Sequence, residues 1–173
     1  MSMDTSTSDR DLFDMVGDPI KPTSTQANVR FYTGDLLTSR MEAIGHGCNT
    51  FGVMGAGVAK VIRGIYPQVF APYAAACAAK IFVPGSMLPI KVNESRWVLN
   101  MASQDAPGPN ARLDWLSESI DAAFSFVQEQ GLSGFAIPRI GAGIGGLLWA
   151  DVLCEIETVA ARYPRVIIEI WTL

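Results

Sequence analysis

Val29-Arg-Phe-Tyr-Thr33 alternates, is rich in β-formers and stops at Gly34-Asp35, which predicts a strand closed by a turn. Ala43-Ile44-Gly-His46-Gly-Cys48 reads as a second short strand, its side chains small enough to be covered on both faces. Val58 to Arg63 supplies a helical turn or two, and a second helix starts with Pro67 in its first turn and runs through Val69, Tyr73 and Ala76 to about Ala79. Strands follow at about Met87 to Val92 and Trp97 to Met101, with Asn93-Glu-Ser95 as a hairpin-like turn. The most regular pattern is Leu113, Leu116, Ile120, Phe124 and Val127, an amphipathic helix over 112–130 closed by Gly131. Phe135 to Ile137 is a short buried strand, Ala150 to Arg162 a helix with Val152, Leu153, Ile156 and Val159 inward, and Val166 to Trp171 a closing strand. Strands alternating with helices predict a three-layer α/β/α sandwich with a mixed, largely parallel central sheet.

Composition narrows this picture. A chain of 173 residues with 49% hydrophobic and 17% charged residues suits one well-packed core. Thirteen Lys and Arg stand against 17 Asp and Glu, a formal charge of −4, which argues against a broad basic surface for nucleic acid. A bound phosphate would have to be gripped mainly by backbone. The charge is uneven: residues 1–27 carry Asp4, Asp9, Asp11, Asp14 and Asp18 against Arg10 and Lys21 and are rich in Ser and Thr. They read as an acidic mobile extension before a domain over 28–173, either a flexible tail or a strap that packs Phe13. No basic segment leads into an apolar one at the N-terminus and no run of 18 apolar residues occurs, so a cytoplasmic protein with no membrane contact is expected. Cys48, Cys77 and Cys154 have no C-x-x-C spacing and read as buried free thiols. With His46 the single histidine, no metal site is expected. Nor does the sequence call for a cofactor, and it leaves the oligomeric state open.

The chemistry is concentrated in the glycines. Gly52, Gly55 and Gly57 follow the second strand; Gly141, Gly143, Gly145 and Gly146 follow the strand over 135–137. Both loops leave a strand and enter a helix, so both should line one crevice outside the carboxyl ends of a parallel sheet. Glycine admits close approach to the peptide plane, and helix N-terminal amides favour an anion. Gly141, Gly143 and Gly146 also fit G-x-G-x-x-G. That dinucleotide fingerprint belongs after a first strand, and too little chain follows Gly146 for the second half of such a sheet.

Gly34-Asp35-Leu36, His46-Gly-Cys-Asn49, Met54-Gly-Ala-Gly-Val-Ala59, Pro138-Arg-Ile-Gly-Ala-Gly143 with Trp149, and Ile170-Trp-Thr-Leu173 together resemble the macrodomain family of ADP-ribose-binding modules. The pattern is most similar to the terminal ADP-ribose protein glycohydrolase branch, and the ending is also similar to the yeast-type ADP-ribose-1″-phosphate phosphatases. The resemblance implies that Asp35 accepts from the adenine amino group with the Leu36 amide nearby, and that Trp171 and Leu173 flank the adenine. It implies that Asn49 faces the distal ribose, with Gly55, Ala56, Gly57 and Val58 wrapping that ribose and a phosphate. Ile140, Gly141, Ala142, Gly143, Ile144 and Gly145 would cradle the diphosphate. From the residues alone, Asp35 also reads as a turn residue, Trp171 as a core residue of the last strand, His46 as a core histidine and Arg139 as a structural partner.

The departures bear on mechanism. Where that branch has a catalytic Lys this chain has Ser103 or Gln104, and where it has an Asp in the second loop this chain has Gly145. A lysine adduct is therefore unavailable. Asn49, Gln104 and Asp105 are the candidate side chains for orienting a water at the anomeric carbon, with Asp105 alternatively capping the turn Asp-Ala-Pro-Gly-Pro. The leading expectation is a hydrolase that removes mono-ADP-ribose from acidic side chains, with ADP-ribose and ADP-ribosylated proteins as partners. A non-catalytic ADP-ribose reader and an ADP-ribose-1″-phosphate phosphatase are the alternatives.

Overall fold

Six runs of mostly apolar, β-forming residues pair into one sheet in the order β1-β6-β5-β2-β4-β3. The computed structural model describes residues 24–173. In chain order the elements are β1 (Val29–Thr33), β2 (Ala43–Gly47), α1 (Gly57–Ile65), α2 (Phe70–Ala78), β3 (Met87–Asn93), β4 (Arg96–Met101), α3 (Leu113–Glu129), β5 (Gly134–Pro138), α4 (Trp149–Ala160) and β6 (Ile167–Thr172). Strands β1, β6, β5, β2 and β4 run parallel, and β3 alone is antiparallel, joined to β4 as a hairpin. This is the mixed, largely parallel α/β/α sandwich that the alternating pattern predicts.

Because successive strand residues point to opposite faces, the sheet carries two cores. Helices α3 and α4 cover one face, where Leu116, Ile120, Phe124 and Ile156 meet Leu99, Met101, Phe135 and Ile168. Phe124 packs edge-on against Phe135, with centroids 5.0 Å apart, and stacks on Tyr163. Helices α1 and α2 cover the other face, where Ile62, Tyr73 and Cys77 meet Ile44, Val98 and Ala136. Each such aliphatic or aromatic side chain, fully buried, contributes about 1.5–3 kcal/mol.

Strand β2 lies between β5 and β4 and needs its small residues. A Cβ on Gly45 would stand 2.9 Å from Met101 Sδ and 3.0 Å from Ile137 Cγ2, so larger neighbours occupy the room the glycine leaves. Helix α3 stops as its sequence requires: Gly131 has φ +65 and the Leu132 amide reaches back to Val127 O.

Local geometry differs from expectation at several points. The helix expected from Pro67 begins as a short 3₁₀ turn over Pro67–Val69 before α2, with the Val69 amide donating to Tyr66 O at 3.0 Å. A second 3₁₀ turn, Leu36–Thr38, is capped by Asp35 and had no periodic signal to announce it. Cys48 and Cys77 are buried free thiols, but Cys154 is exposed on α4, a correction to the expectation of three buried thiols. Its helical position faces away from the stripe formed by Val152, Ile156 and Val159. Most of the expected acidic extension, up to residue 23, lies outside the described residues. Its last residues are tied to α4, where the Ser24 hydroxyl and Thr25 amide both donate to Glu157.

Candidate functional site

The parallel strands deliver both glycine loops to one end of the sheet, and there a trench of three joined chambers opens. The first, about 240 Å³, is lined by the turn after β1, by α1 and by the end of β6. The second, about 230 Å³, lies between the N-terminus of α1 and the loop over 140–145. The third, about 160 Å³, lies between the loop after β2 and the Gln104 to Gly108 segment. Val58, Pro138 and Arg139 are common to the first and second, and Gly47, Ala56, Ala59, Gln104 and Ile144 to the second and third.

The first chamber gathers Asp35, Leu36, Trp171 and Leu173, the four residues expected at an adenine. Trp171 is half-buried and stacked on Tyr32, its cross-strand neighbour in the β1–β6 register, with centroids 4.9 Å apart and planes 13° from parallel. Its indole N–H donates to Glu169 Oε2 at 2.9 Å, and the same oxygen accepts from the Ser39 hydroxyl at 2.7 Å. The ring is thus fixed in position while lining a cleft. Asp35 Oδ1 accepts from the Leu37 amide at 2.9 Å, a capping role. The carboxylate is exposed and keeps its second oxygen to offer a ligand.

The second chamber is an amide cradle. The N–H groups of Gly143, Ile144 and Gly145 enter no backbone hydrogen bond among the described residues, whereas those of Ile140, Ala142, Gly146 and Leu147 close the turns that shape the loop. Opposite them, α1 begins after Ala56 with no side-chain cap, leaving its first amides for a ligand or water. Two sets of unpaired donors facing one cleft suit a diphosphate without a lysine cluster. Of the loop residues expected here, Ile140, Gly141, Gly143, Ile144 and Gly145 border the chamber together with Ala56, Gly57 and Val58. Ala142 does not: its amide turns back to Arg139 O at 3.2 Å, a correction to its expected contact.

The third chamber holds Asn49, Gly55 and Gln104 but not Asp105. Asn49 spends its side chain on its own loop. Its Oδ1 accepts from the Phe51 and Val53 amides, at 3.0 and 3.3 Å, and its Nδ2 donates to Val53 O at 2.9 Å. The Tyr73 hydroxyl clamps the same residue by donating to Asn49 O at 2.7 Å. Gln104 is also fixed, its Nε2 donating to Ala106 O at 2.7 Å and to Gly108 O at 3.2 Å, which leaves Oε1 as the acceptor it can offer. Asp105 Oδ1 accepts from the Ala106 amide at 2.7 Å, so its carboxylate caps its turn outside the chamber lining.

Burial disfavours the charged forms of the thiol, phenol and imidazole nearest the third chamber. Cys48 borders the third chamber, but burial pushes its thiol far above the usual range. Burial likewise raises the Tyr73 hydroxyl. His46 is fully buried in β2, and burial lowers its pKa to about 4. The Asn100 amide donates to Leu88 O at 3.0 Å, so its Oδ1 faces His46 Nε2 at 2.8 Å and that nitrogen carries the proton. His46 is therefore a neutral, satisfied core residue. Ser103, Pro107 and Gly108 also line the trench, and Tyr73 supports it; the clamp from Tyr73 to Asn49 joins residues too distant in sequence for a local pattern to reveal.

An α/β/α sandwich with a glycine-lined trench at the carboxyl ends of its strands has the place and the backbone donors for a nucleotide-sized ligand. Residues 46–156 match the family model described as Macro domain, and the chain belongs to that family. It is 29% identical over 149 residues to a DNA ADP-ribosyl glycohydrolase of Thermus aquaticus, a match covering 83% of this chain and 40% of that protein. A protein of the same name from Mycobacterium tuberculosis is 26% identical over 141 residues, covering 80% of this chain and 40% of its own length. The chain thus spans about 40% of the length of these curated relatives. Among solved structures, the macrodomain of Mycobacterium tuberculosis DarG superimposes with a TM-score of 0.77 at 26% identity, covering 84% of this chain and 97% of that one. Thermosipho africanus DarTG in complex with ADP-ribose shares the fold, with a TM-score of 0.72 at 21% identity over 82% of this chain and 41% of that one.

Proposed function

We propose that the chain binds ADP-ribose along the trench and hydrolyses the bond between its distal ribose and an acceptor. The observation that carries this reading is the order of the chambers: a flat apolar cleft floored by Trp171, a cradle of unpaired amides, and a small pocket edged by Asn49 and Gln104. That order matches adenine, diphosphate and distal ribose. The relatives named as DNA ADP-ribosyl glycohydrolases support the same chemistry.

Catalysis on this reading comes from positioning. Ser103 or Gln104 stands where a lysine adduct would otherwise form, and the chamber lining contains no carboxylate among the described residues. The fixed Gln104 Oε1 orients the attacking water, and the bound diphosphate supplies the nearby negative charge. Holding water and anomeric carbon in line replaces general-base catalysis.

Two acceptors come into question. The resemblance to the glycohydrolase branch points to an ester on an acidic protein side chain, and the relatives' names point to DNA. Val53, 47% exposed, lines the third chamber, and Phe51, 69% exposed on the same loop clamped by Asn49, is the apolar surface beside it, which favours a flat base over a carboxylate. Aromatic stacking of this kind contributes about 1–3 kcal/mol per base.

Three substrates decide the matter: single-stranded oligonucleotide ADP-ribosylated on a base, protein ADP-ribosylated on Glu, and ADP-ribose-1″-phosphate. Release of ADP-ribose from the oligonucleotide, slowed about tenfold or more by Phe51→Ala, is the expected result. Release from protein alone restores the carboxylate ester, and turnover of the 1″-phosphate alone makes the chain a phosphatase. Tight ADP-ribose binding with no release from any of the three makes it a reader.

A further inference from the structure

Beside the trench, on the face of the sheet covered by α3 and α4, lies a separate cavity of about 360 Å³ bounded by Phe31, Thr33, Arg139, Trp149 and Thr172. Among the described residues no carboxylate lines it. Its lining brings together the Arg139 guanidinium, Thr33 and Thr172 paired across the β1–β6 register, and the Trp149 indole, with Tyr32 at its edge. Arg139 is held in place, its guanidinium carbon 4.7 Å from the centre of the Trp149 ring. Stacking uses the face of the guanidinium and leaves its edge of N–H donors open, the arrangement that matches phosphate. Among the described residues no acid pairs with it, and the one ion pair joins Arg162 to Asp121.

The cavity has a defined relation to the trench. Arg139 and Thr172 line both it and the first chamber, and Arg139 also borders the second. With adenine in the first chamber and diphosphate in the second, the ribose joining them lies at the residues those chambers share, which are Val58, Pro138 and Arg139. A substituent on a hydroxyl of that ribose therefore reaches Arg139, and beyond it the cavity.

We infer that this cavity is a phosphate subsite for ligands phosphorylated on the adenosine-side ribose. The ligand class is ADP-ribose carrying a 2′-phosphomonoester, the unit that a 2′-phosphorylated dinucleotide would donate. The inference rests on the ADP-ribose reading of the trench and adds a preference at its adenosine end, remote from the bond that is cleaved. Arg139 would take the phosphate edge-on, with Thr33 and Thr172 donating to its remaining oxygens.

Calorimetric titration of the full chain with ADP-ribose and with ADP-ribose 2′-phosphate, for the wild type, Arg139→Gln and Thr33→Val, tests this. The ratio of the two affinities is the readout, so a general loss of binding in a variant does not imitate the effect. The expected result is about tenfold tighter binding of the phosphorylated ligand by the wild type, reduced to less than about twofold in Arg139→Gln and to an intermediate value in Thr33→Val. Equal affinities in the wild type, or a ratio unchanged by Arg139→Gln, overturn the subsite while leaving the trench assignment standing. Binding of neither ligand overturns both.

Discussion

The two glycine loops meet over one chamber but are built differently. The loop after β2 is held by side chains: Asn49 fixes the backbone of Phe51 and Val53, and Tyr73 clamps Asn49 from α2. The loop after β5 is held by the absence of side chains. A Cβ on Gly145 would stand 2.8 Å from both Ala111 Cβ and Gly141 O, and one on Gly146, whose φ is +81, would stand 3.1 Å from Pro109 Cβ. A Cβ on Gly143 would meet nothing within 4 Å. Within one glycine run, then, Gly145 and Gly146 allow the 109–111 segment to pack, and Gly143 faces open space. A cluster of glycines says that the backbone is approached closely, but not whether the visitor is a ligand or another part of the chain.

This contrast can be broken from either side. The largest effect is expected on the strand that carries the first loop, where His46 is neutral with a pKa of about 4 against 6.5 when free. Between those values the unfolded chain binds the proton and the folded chain does not, so stability is full above about pH 6.5 and falls as pH drops toward 4. The loss attributable to this residue approaches about 3 kcal/mol. Urea denaturation at pH 7.5 and 4.5 of the wild type and of His46→Asn reads it as a difference in pH dependence; the same pH dependence in both would mean that folding leaves the His46 pKa unshifted.

Next, Asn49→Ala should cost about 2–3 kcal/mol, because it strands the Phe51 and Val53 amides. Hydrogen exchange should speed up through residues 50–55 and leave residues 140–146 unchanged. Faster exchange in both loops would show that they are one mechanical unit. Gly145→Ala follows at about 1–3 kcal/mol of lost stability from overpacking. Weaker ligand binding in Gly145→Ala with wild-type stability would instead place its missing side chain toward the ligand. Smallest is Gly143→Ala, expected within about 0.5 kcal/mol of the wild type in thermal unfolding.

Much of the fold could be read from local patterns. Helix α3 announces itself through Leu116, Ile120, Phe124 and Val127, and β2 through side chains too small for anything but a covered strand. That Asp35 and Trp171 would line one cleft was also legible, since they stand at or just past the ends of neighbouring strands in recognisable motifs. What stayed hidden depends on contacts across sequence distance. Tyr73 reaches Asn49 from another helix, Pro109 and Ala111 fix the second loop, and Asp105 turns to its own backbone instead of the chamber. The role of Arg139 was hidden for the same reason. Its stacking partner Trp149 lies beyond the glycine loop, and the structure joins them at the edge of the trench in place of the ion pair that a structural arginine suggests.

The central claim is that the trench holds ADP-ribose with its adenine against Trp171 and Asp35. Isothermal titration of ADP-ribose into the wild type, Trp171→Ala and Asp35→Ala tests it most directly. The account predicts saturable one-site binding by the wild type, weakened about tenfold or more in each folded variant. No binding at millimolar ADP-ribose, or affinities unchanged in both variants, would contradict it.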